Sequence, residues 1–97
     1  MNLEDCRREI DMIDRQIVEL LNARSRLSRS IAEIKSGTGL PIIDWNREAE
    51  ILRRVSGECI GIIPDGAVME IYRAILRSSR QIQSEVAGEL RMEPAAV

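Results

Sequence analysis

Apolar residues recur at alternating steps of three and four along the first third of the chain. The pattern consists of Leu3, Cys6, Ile10, Ile13, Ile17, Leu20, Arg24, Leu27, Ile31 and Ile34. This spacing is the heptad register of a helix that packs against partners. Arg24 is the exception in an otherwise apolar stripe. Because a buried guanidinium needs a counter-charge, the pattern predicts an anionic partner for Arg24, and a ligand is one candidate.

Helix-breaking residues divide the chain into three segments. Residues 3–35 contain no Gly or Pro, and Asn2 followed by Asp5 is typical of a helix N-cap. The first helix is therefore predicted to run to about Lys35. A loop containing Gly and Pro follows and ends near the cap candidate Asp44.

A short helix is predicted from Asp44 to about Cys59. Gly and Pro residues punctuate the next turn, and a third helix then carries an apolar face from Val68 to Leu90. No alternating strand pattern occurs in the sequence, so the predicted class is all-α, with three helices that are long, short and long. Residues 1–91 are predicted to form one helical domain, and residues 92–97 a disordered tail.

The length of the first helix predicts a homodimer. About 33 residues at a rise of 1.5 Å span roughly 50 Å. A compact chain of 97 residues has a radius of gyration of only about 12 to 13 Å, so a monomer leaves most of the stripe in water. An intertwined homodimer buries it. The alternative is a helix that breaks near residues 25–30 and folds back into a monomeric bundle.

Composition excludes several classes of function. The net charge is −2, from 14 basic and 16 acidic residues, which argues against a nucleic-acid surface. The chain has no histidine, and Cys6 and Cys59 lack metal-ligand spacing, so no metal site is expected. No apolar run reaches the roughly 20 residues needed to cross a bilayer, and the N-terminus does not resemble a signal peptide. A cytoplasmic location is therefore expected.

Further polar residues fall on apolar helix faces. Glu48 begins the apolar stripe of the second helix, while Ser79 and Gln83 continue that of the third. Lys35 lies eleven residues after Arg24, close to three helical turns, so both cations project from nearly the same side. Each residue alone has an ordinary explanation, such as a snorkelling stem or a helix-start charge. Together they predict an internal cavity that binds a small molecule.

Arg7 lies seventeen residues before Arg24, roughly 25 Å along a continuous helix. One chain therefore cannot bring both guanidinium groups to the same small ligand. In an antiparallel dimer, Arg7 of one subunit lies near Arg24 of the other, which predicts two shared sites. The alternative is that Arg7 belongs to an exposed charge cluster with Arg8 and Glu9.

The whole pattern resembles the all-helical (AroQ-class) chorismate mutase family. The resemblance covers about residues 3–86. The matching positions are Arg7, Arg24, Lys35, Pro41, Asp44, Arg47, Glu48, Ser79 and Gln83. The resemblance implies an intertwined helical homodimer that converts chorismate to prephenate by a Claisen-type rearrangement, as in aromatic amino-acid biosynthesis, without a cofactor.

The resemblance also implies a role for each residue. Arg24 and the partner's Arg7 grip the substrate carboxylates, with Ser79 and Arg47 supporting them. Lys35 and Gln83 direct donors at the ether oxygen. Glu48 and the backbone near Asp44 bind the ring hydroxyl. Arg24, Lys35 and Gln83 are the predicted catalytic residues.

Two alternatives remain at this point. Isochorismate pyruvate lyase has a similar fold and acts on a related dianion, although residues 40–48 of this chain resemble the mutase more than the lyase. A noncatalytic dimerisation module, in which buried charges fix the helix register, belongs to a different class.

Overall fold

The structure is a computed structural model that describes residues 1–58 and 61–92. It contains three helices, α1 (Leu3–Thr38), α2 (Trp45–Glu58) and α3 (Asp65–Met92), and the described ranges contain no strand. The predicted all-α class and the order of helix lengths are confirmed. The described part of α3 ends at Met92, and the predicted boundary between a helical domain and a disordered tail stays a prediction. Cys59 and residues 93–97 lie outside the described residues.

Both ends of α1 are capped. The Asn2 side chain accepts a hydrogen bond from the Asp5 amide at 2.9 Å, and the Asp5 carboxylate accepts one from the Asn2 amide at 3.0 Å. The helix continues three residues beyond the predicted end at Lys35 and stops at Gly39, whose φ of 74° is left-handed. The Gly39 amide donates to the Lys35 carbonyl at 3.1 Å. An isolated Gly37 inside the last turn costs too little to end the helix earlier.

The third helix is central, because α1 and α2 both pack against it. Among the described residues, α1 and α2 do not pack against each other, so a gap remains between them above α3. The buried residues are few and mostly small: Ser28, Ala32, Val68, Leu76, Val86 and Ala87. Small side chains on α1 allow its backbone to approach α3 closely. This approach brings polar groups of the two helices into contact.

The chain is elongated, with principal extents of 65 × 28 × 15 Å and a radius of gyration of 17.6 Å. The compact value for this length is about 13 Å. Because α1 is continuous, the predicted alternative of a break near residues 25–30 does not occur. Every residue from 7 to 22 is exposed in the single chain, including four of the ten residues of the predicted stripe. None of the helices in residues 1–58 and 61–92 is long and apolar enough to cross a membrane.

Candidate active site

A cavity of about 350 Å³ lies between the C-terminal half of α1, the start of α2 and the middle of α3. Seven of the eight predicted site residues line it: Arg24, Lys35, Asp44, Arg47, Glu48, Ser79 and Gln83. The remaining walls are largely apolar, from Leu27, Ile31, Ile51 and Leu76. An apolar chamber with a few polar groups is the usual form of a small-molecule site.

Arg24 and Ser79 connect α1 to α3 across the base of the cavity. The half-buried Arg24 guanidinium donates a hydrogen bond to the Ser79 hydroxyl. Ser28, which is buried one turn after Arg24, donates to the same hydroxyl at 3.2 Å. Ser79 therefore fixes the direction of the guanidinium without neutralising its charge. Sequence analysis missed Ser28, although its position four residues after Arg24 places it on the same helix face.

Lys35 stands at the other end of the same face of α1. Its ammonium group donates to the Ile42 carbonyl at 2.9 Å, so the connection between α1 and α2 holds the side chain over the cavity. A lysine ammonium has three donors. One hydrogen bond to a neutral carbonyl orients the group and leaves two donors for a ligand.

The start of α2 presents two further predicted residues. Asp44 caps the helix, because its side chain accepts a hydrogen bond from the Arg47 amide at 3.0 Å and its carbonyl accepts one from the Glu48 amide at 3.2 Å. The Arg47 side chain is about half exposed and pairs with Glu50 at 3.1 Å. Arg47 therefore lies at the edge of the cavity rather than in its interior.

Glu48 has a partner that the sequence analysis did not find. Its side chain is only 16% exposed, and its Oε1 accepts a hydrogen bond from the Arg80 guanidinium. The guanidinium carbon of Arg80 also lies 5.1 Å from the centre of the Trp45 ring, within the range of a cation–π contact. Two signals pointed to Arg80: it directly follows Ser79, and a carboxylate on an apolar face needs a cation.

Gln83 completes the α3 wall one turn after Ser79. Its side chain is half-buried and makes no hydrogen bond to other side chains in the part of the chain that the structure describes. The amide group is therefore available to a ligand in the cavity.

Arg7 is absent from this cavity. Its side chain is 63% exposed and pairs with Glu4 at 3.0 Å, near the free end of α1. The distance between Arg7 and Arg24 along one helix agrees with the sequence prediction that a single chain cannot bring them together. A contribution across subunits stays a prediction.

The charges that line the cavity are unbalanced. Four cationic side chains and two carboxylates face it, which leaves two positive charges in excess. Within residues 1–58 and 61–92, neither Arg24 nor Lys35 forms an ion pair with a carboxylate. Because half-buried cations are stabilised by anions, the cavity suits a small molecule with two negative charges. The fold and the site thus define a class of helical proteins with a cavity between the helices that suits a small dianion.

A family model described as chorismate mutase type II matches residues 6–84. The chain belongs to this family. It is 31% identical over 88 residues to the chorismate mutase of Methanocaldococcus jannaschii, with 90% of this chain and 89% of that protein covered. A chorismate mutase structure from Thermus thermophilus (form II) superimposes with a TM-score of 0.82 at 30% identity, covering 84% of this chain and 93% of that one. The predicted family is therefore confirmed.

Other relatives are longer. The bifunctional chorismate mutase/prephenate dehydratase of Aquifex aeolicus is 39% identical over 88 residues, which make up 87% of this chain and 24% of that protein. The chain also spans 21% of a T-protein from Enterobacter agglomerans, at 37% identity over 79 residues. The chain thus corresponds to about a quarter or less of these two relatives. Neither the lyase nor the noncatalytic alternative gains support from these matches.

Proposed function

We propose that this chain is a chorismate mutase, an isomerase that converts chorismate to prephenate. One observation carries the proposal: Arg24 and Lys35, which have no carboxylate partner among the described residues, face one cavity together with Ser79 and Gln83. Chorismate is a dianion, so it matches the excess of two positive charges. The names of the relatives point to the same reaction.

The reaction requires the protein to orient the substrate and to stabilise the charge that develops on it. In a [3,3] rearrangement, the ether carbon–oxygen bond breaks as a carbon–carbon bond forms within one molecule, so no group is transferred to the protein. Holding the enolpyruvyl arm over the ring removes much of the entropic barrier. Negative charge develops on the ether oxygen as its bond lengthens, and donors from Lys35 and Gln83 stabilise that charge most in the transition state.

The remaining residues orient the substrate. Arg24 binds a carboxylate with the two-pronged geometry of a guanidinium, and Ser79 holds Arg24 in that direction. Arg47 supports the binding of the carboxylates from the edge of the cavity. The Glu48 carboxylate accepts a hydrogen bond from the ring hydroxyl, and the backbone near Asp44 also binds this hydroxyl. These contacts fix the rotation of the ring in the cavity. No residue needs to take a proton from the substrate.

The proposed working form is an antiparallel homodimer. Residues 7–22 are all exposed and include large apolar side chains such as Ile13 (52% exposed) and Leu20 (70%). An apolar surface of this length on one helix is unfavourable in water unless a partner covers it. A second copy with its own α1 running in the opposite direction matches the stripe and brings the partner's Arg7 to the cavity beside Arg24. Residues 1–91 form the proposed catalytic unit, and a cytoplasmic location stays a prediction.

The test is a direct assay with purified protein and chorismate. We expect chorismate to disappear and prephenate to appear, and Arg24→Ala to abolish most of the rate. Isochorismate supplied in parallel, with salicylate and pyruvate measured, separates the mutase from the pyruvate lyase. A folded protein that neither binds nor converts chorismate would reject the proposal and favour a noncatalytic module.

A further inference from the structure

Arg80 lies between the Glu48 carboxylate and the Trp45 ring of α2. It is not one of the predicted site residues. It lies on α3, its side chain is 28% exposed, and it bridges a carboxylate on one side and an aromatic ring on the other. Trp45 and Glu48 are three residues apart at the start of α2, so they share a helix face and together enclose the guanidinium. The contact joins α2 to α3 at the wall of the cavity.

We propose that Arg80 is a positioning residue that sets recognition of the substrate's ring hydroxyl through Glu48. The proposal rests on the mutase function proposed above, in which Glu48 accepts a hydrogen bond from that hydroxyl. Arg80 engages Oε1 of Glu48. No other hydrogen bond to this carboxylate occurs within residues 1–58 and 61–92, so Oε2 is available to the cavity.

The charge of Arg80 has a second consequence for Glu48. A carboxylate that is 16% exposed beside two substrate carboxylates experiences repulsion from the ligand. A guanidinium bonded to it offsets this repulsion, so Glu48 remains a hydrogen-bond acceptor when the dianion is bound. Arg80 thus allows an acidic residue to function in a cavity that selects for anions.

Trp45 restricts the positions that Arg80 can occupy. Trp45 is 63% exposed, and the guanidinium carbon of Arg80 lies over its ring, 5.1 Å from the ring centre. A stacked guanidinium has fewer rotamers, so its hydrogen bond to Glu48 holds the carboxylate in one orientation. Trp45 therefore acts on the same hydroxyl subsite through two intervening side chains.

The experiment compares kcat and KM for chorismate in wild type, Arg80→Met, Arg80→Lys, Glu48→Gln and the Arg80→Met/Glu48→Gln double variant. Methionine keeps the aliphatic bulk and removes the charge. We expect Arg80→Met to raise KM about tenfold, the size of one lost charged hydrogen bond, with kcat changed less than about threefold. Arg80→Lys restores the charge and should return KM to within about threefold of wild type.

The double variant decides whether Arg80 acts through Glu48. If it does, removing Arg80 in the Glu48→Gln background raises KM by less than about twofold more. Multiplicative effects on KM would overturn the proposal, since they would place Arg80 directly on the substrate. An unchanged KM in Arg80→Met, with only stability lowered, would also overturn it and leave a purely structural ion pair.

Two controls complete the design. Arg77→Ala removes an exposed arginine one turn earlier on α3 and should leave KM unchanged. Trp45 is the single tryptophan of the chain, so its emission should change in Arg80→Met and not in Arg77→Ala. If Arg80→Met does not fold, Arg80→Gln takes its place with the same interpretation. Wild-type protein without chorismate turnover would reject the mutase function itself, whereas an active wild type with an unaffected Arg80→Met rejects this inference alone.

Discussion

The two halves of α1 carry the same apolar repeat but have different environments. From Arg24 to Lys35 the helix packs on α3, buries Ser28 and Ala32, and lines the cavity. From residue 7 to residue 22 every side chain is exposed. The apolar repeat itself stays exposed in both halves, at Leu27 (64%) and Ile34 (62%) as at Leu20 (70%), because the face that packs on α3 is a neighbouring one. A heptad repeat thus indicates that a helix face needs a partner, and it does not indicate which chain supplies that partner. We propose that the C-terminal half contributes catalytic groups to its own chain and that the N-terminal half contributes Arg7 to another.

The largest effect is expected at the packed half. Lys35→Ala removes a donor that we assign to the ether oxygen, where the interaction strengthens in the transition state. Turnover of chorismate should fall by at least about 100-fold, with the secondary structure unchanged by circular dichroism. Arg29→Ala, which removes an exposed cation from the same helix, is the control and should stay near wild type. Near-normal turnover in Lys35→Ala would remove it from the catalytic residues.

The exposed half is tested by placing a charge on the predicted stripe. Ile17 is 48% exposed in the single chain, so about half of its surface is open to a partner chain. If the stripe is a dimer interface, a buried and unpaired carboxylate should shift the protein from dimer to monomer in sedimentation and lower activity at least about tenfold. Asn22→Glu adds the same charge on another face of the helix and serves as the control. A dimer unaffected by Ile17→Glu would mean that the interface lies elsewhere.

Mixing two inactive variants tests in one experiment whether the two halves of α1 contribute to a shared site from different subunits. Arg7→Ala keeps its own Arg24, and Arg24→Ala keeps its own Arg7, so a mixed dimer contains one intact site and one doubly defective site. Random exchange makes half of the dimers mixed, which predicts about a quarter of wild-type activity. Neither variant alone should regain activity on mixing with itself. Exchange proven by labelled subunits, without any recovery, would contradict shared sites.

Sequence patterns pointed to those cavity-lining residues that break an apolar period. Arg24 and Glu48 were visible because each interrupts a stripe that otherwise reads as core, and Gln83 was found in the same way. Arg80 was missed because an arginine beside the stripe looks like any surface charge until α2 is known to cross α3 at Trp45. Its importance depends on a contact between residues 32 positions apart, which a local period does not encode.

The helices show a similar division. The cap at Asn2 and the loop before Asp44 could be predicted from the residue types at those positions. The end of α1 could not be predicted in the same way, because it depends on whether Gly37 or Gly39 adopts the left-handed conformation that ends the helix. The identity of the face that packs on α3 was also hidden, since Ser28 and Ala32 are buried for their small size and not for hydrophobicity.

The smallest expected effect concerns Ser28, which acts on Arg24 through Ser79. Ser28→Ala removes a neutral hydrogen bond of 3.2 Å, while Ser79 still accepts from Arg24. The free energy of unfolding should fall by about 1 kcal/mol or less, measured at fixed protein concentration, and KM should rise no more than about threefold. Ser30→Ala is the matched control, because within the described residues this exposed serine donates only to the Arg26 carbonyl of its own helix. A loss in kcat/KM above tenfold would show that Ser79 alone does not hold Arg24, and that the packed half of α1 depends on the buried serine as much as on the guanidinium.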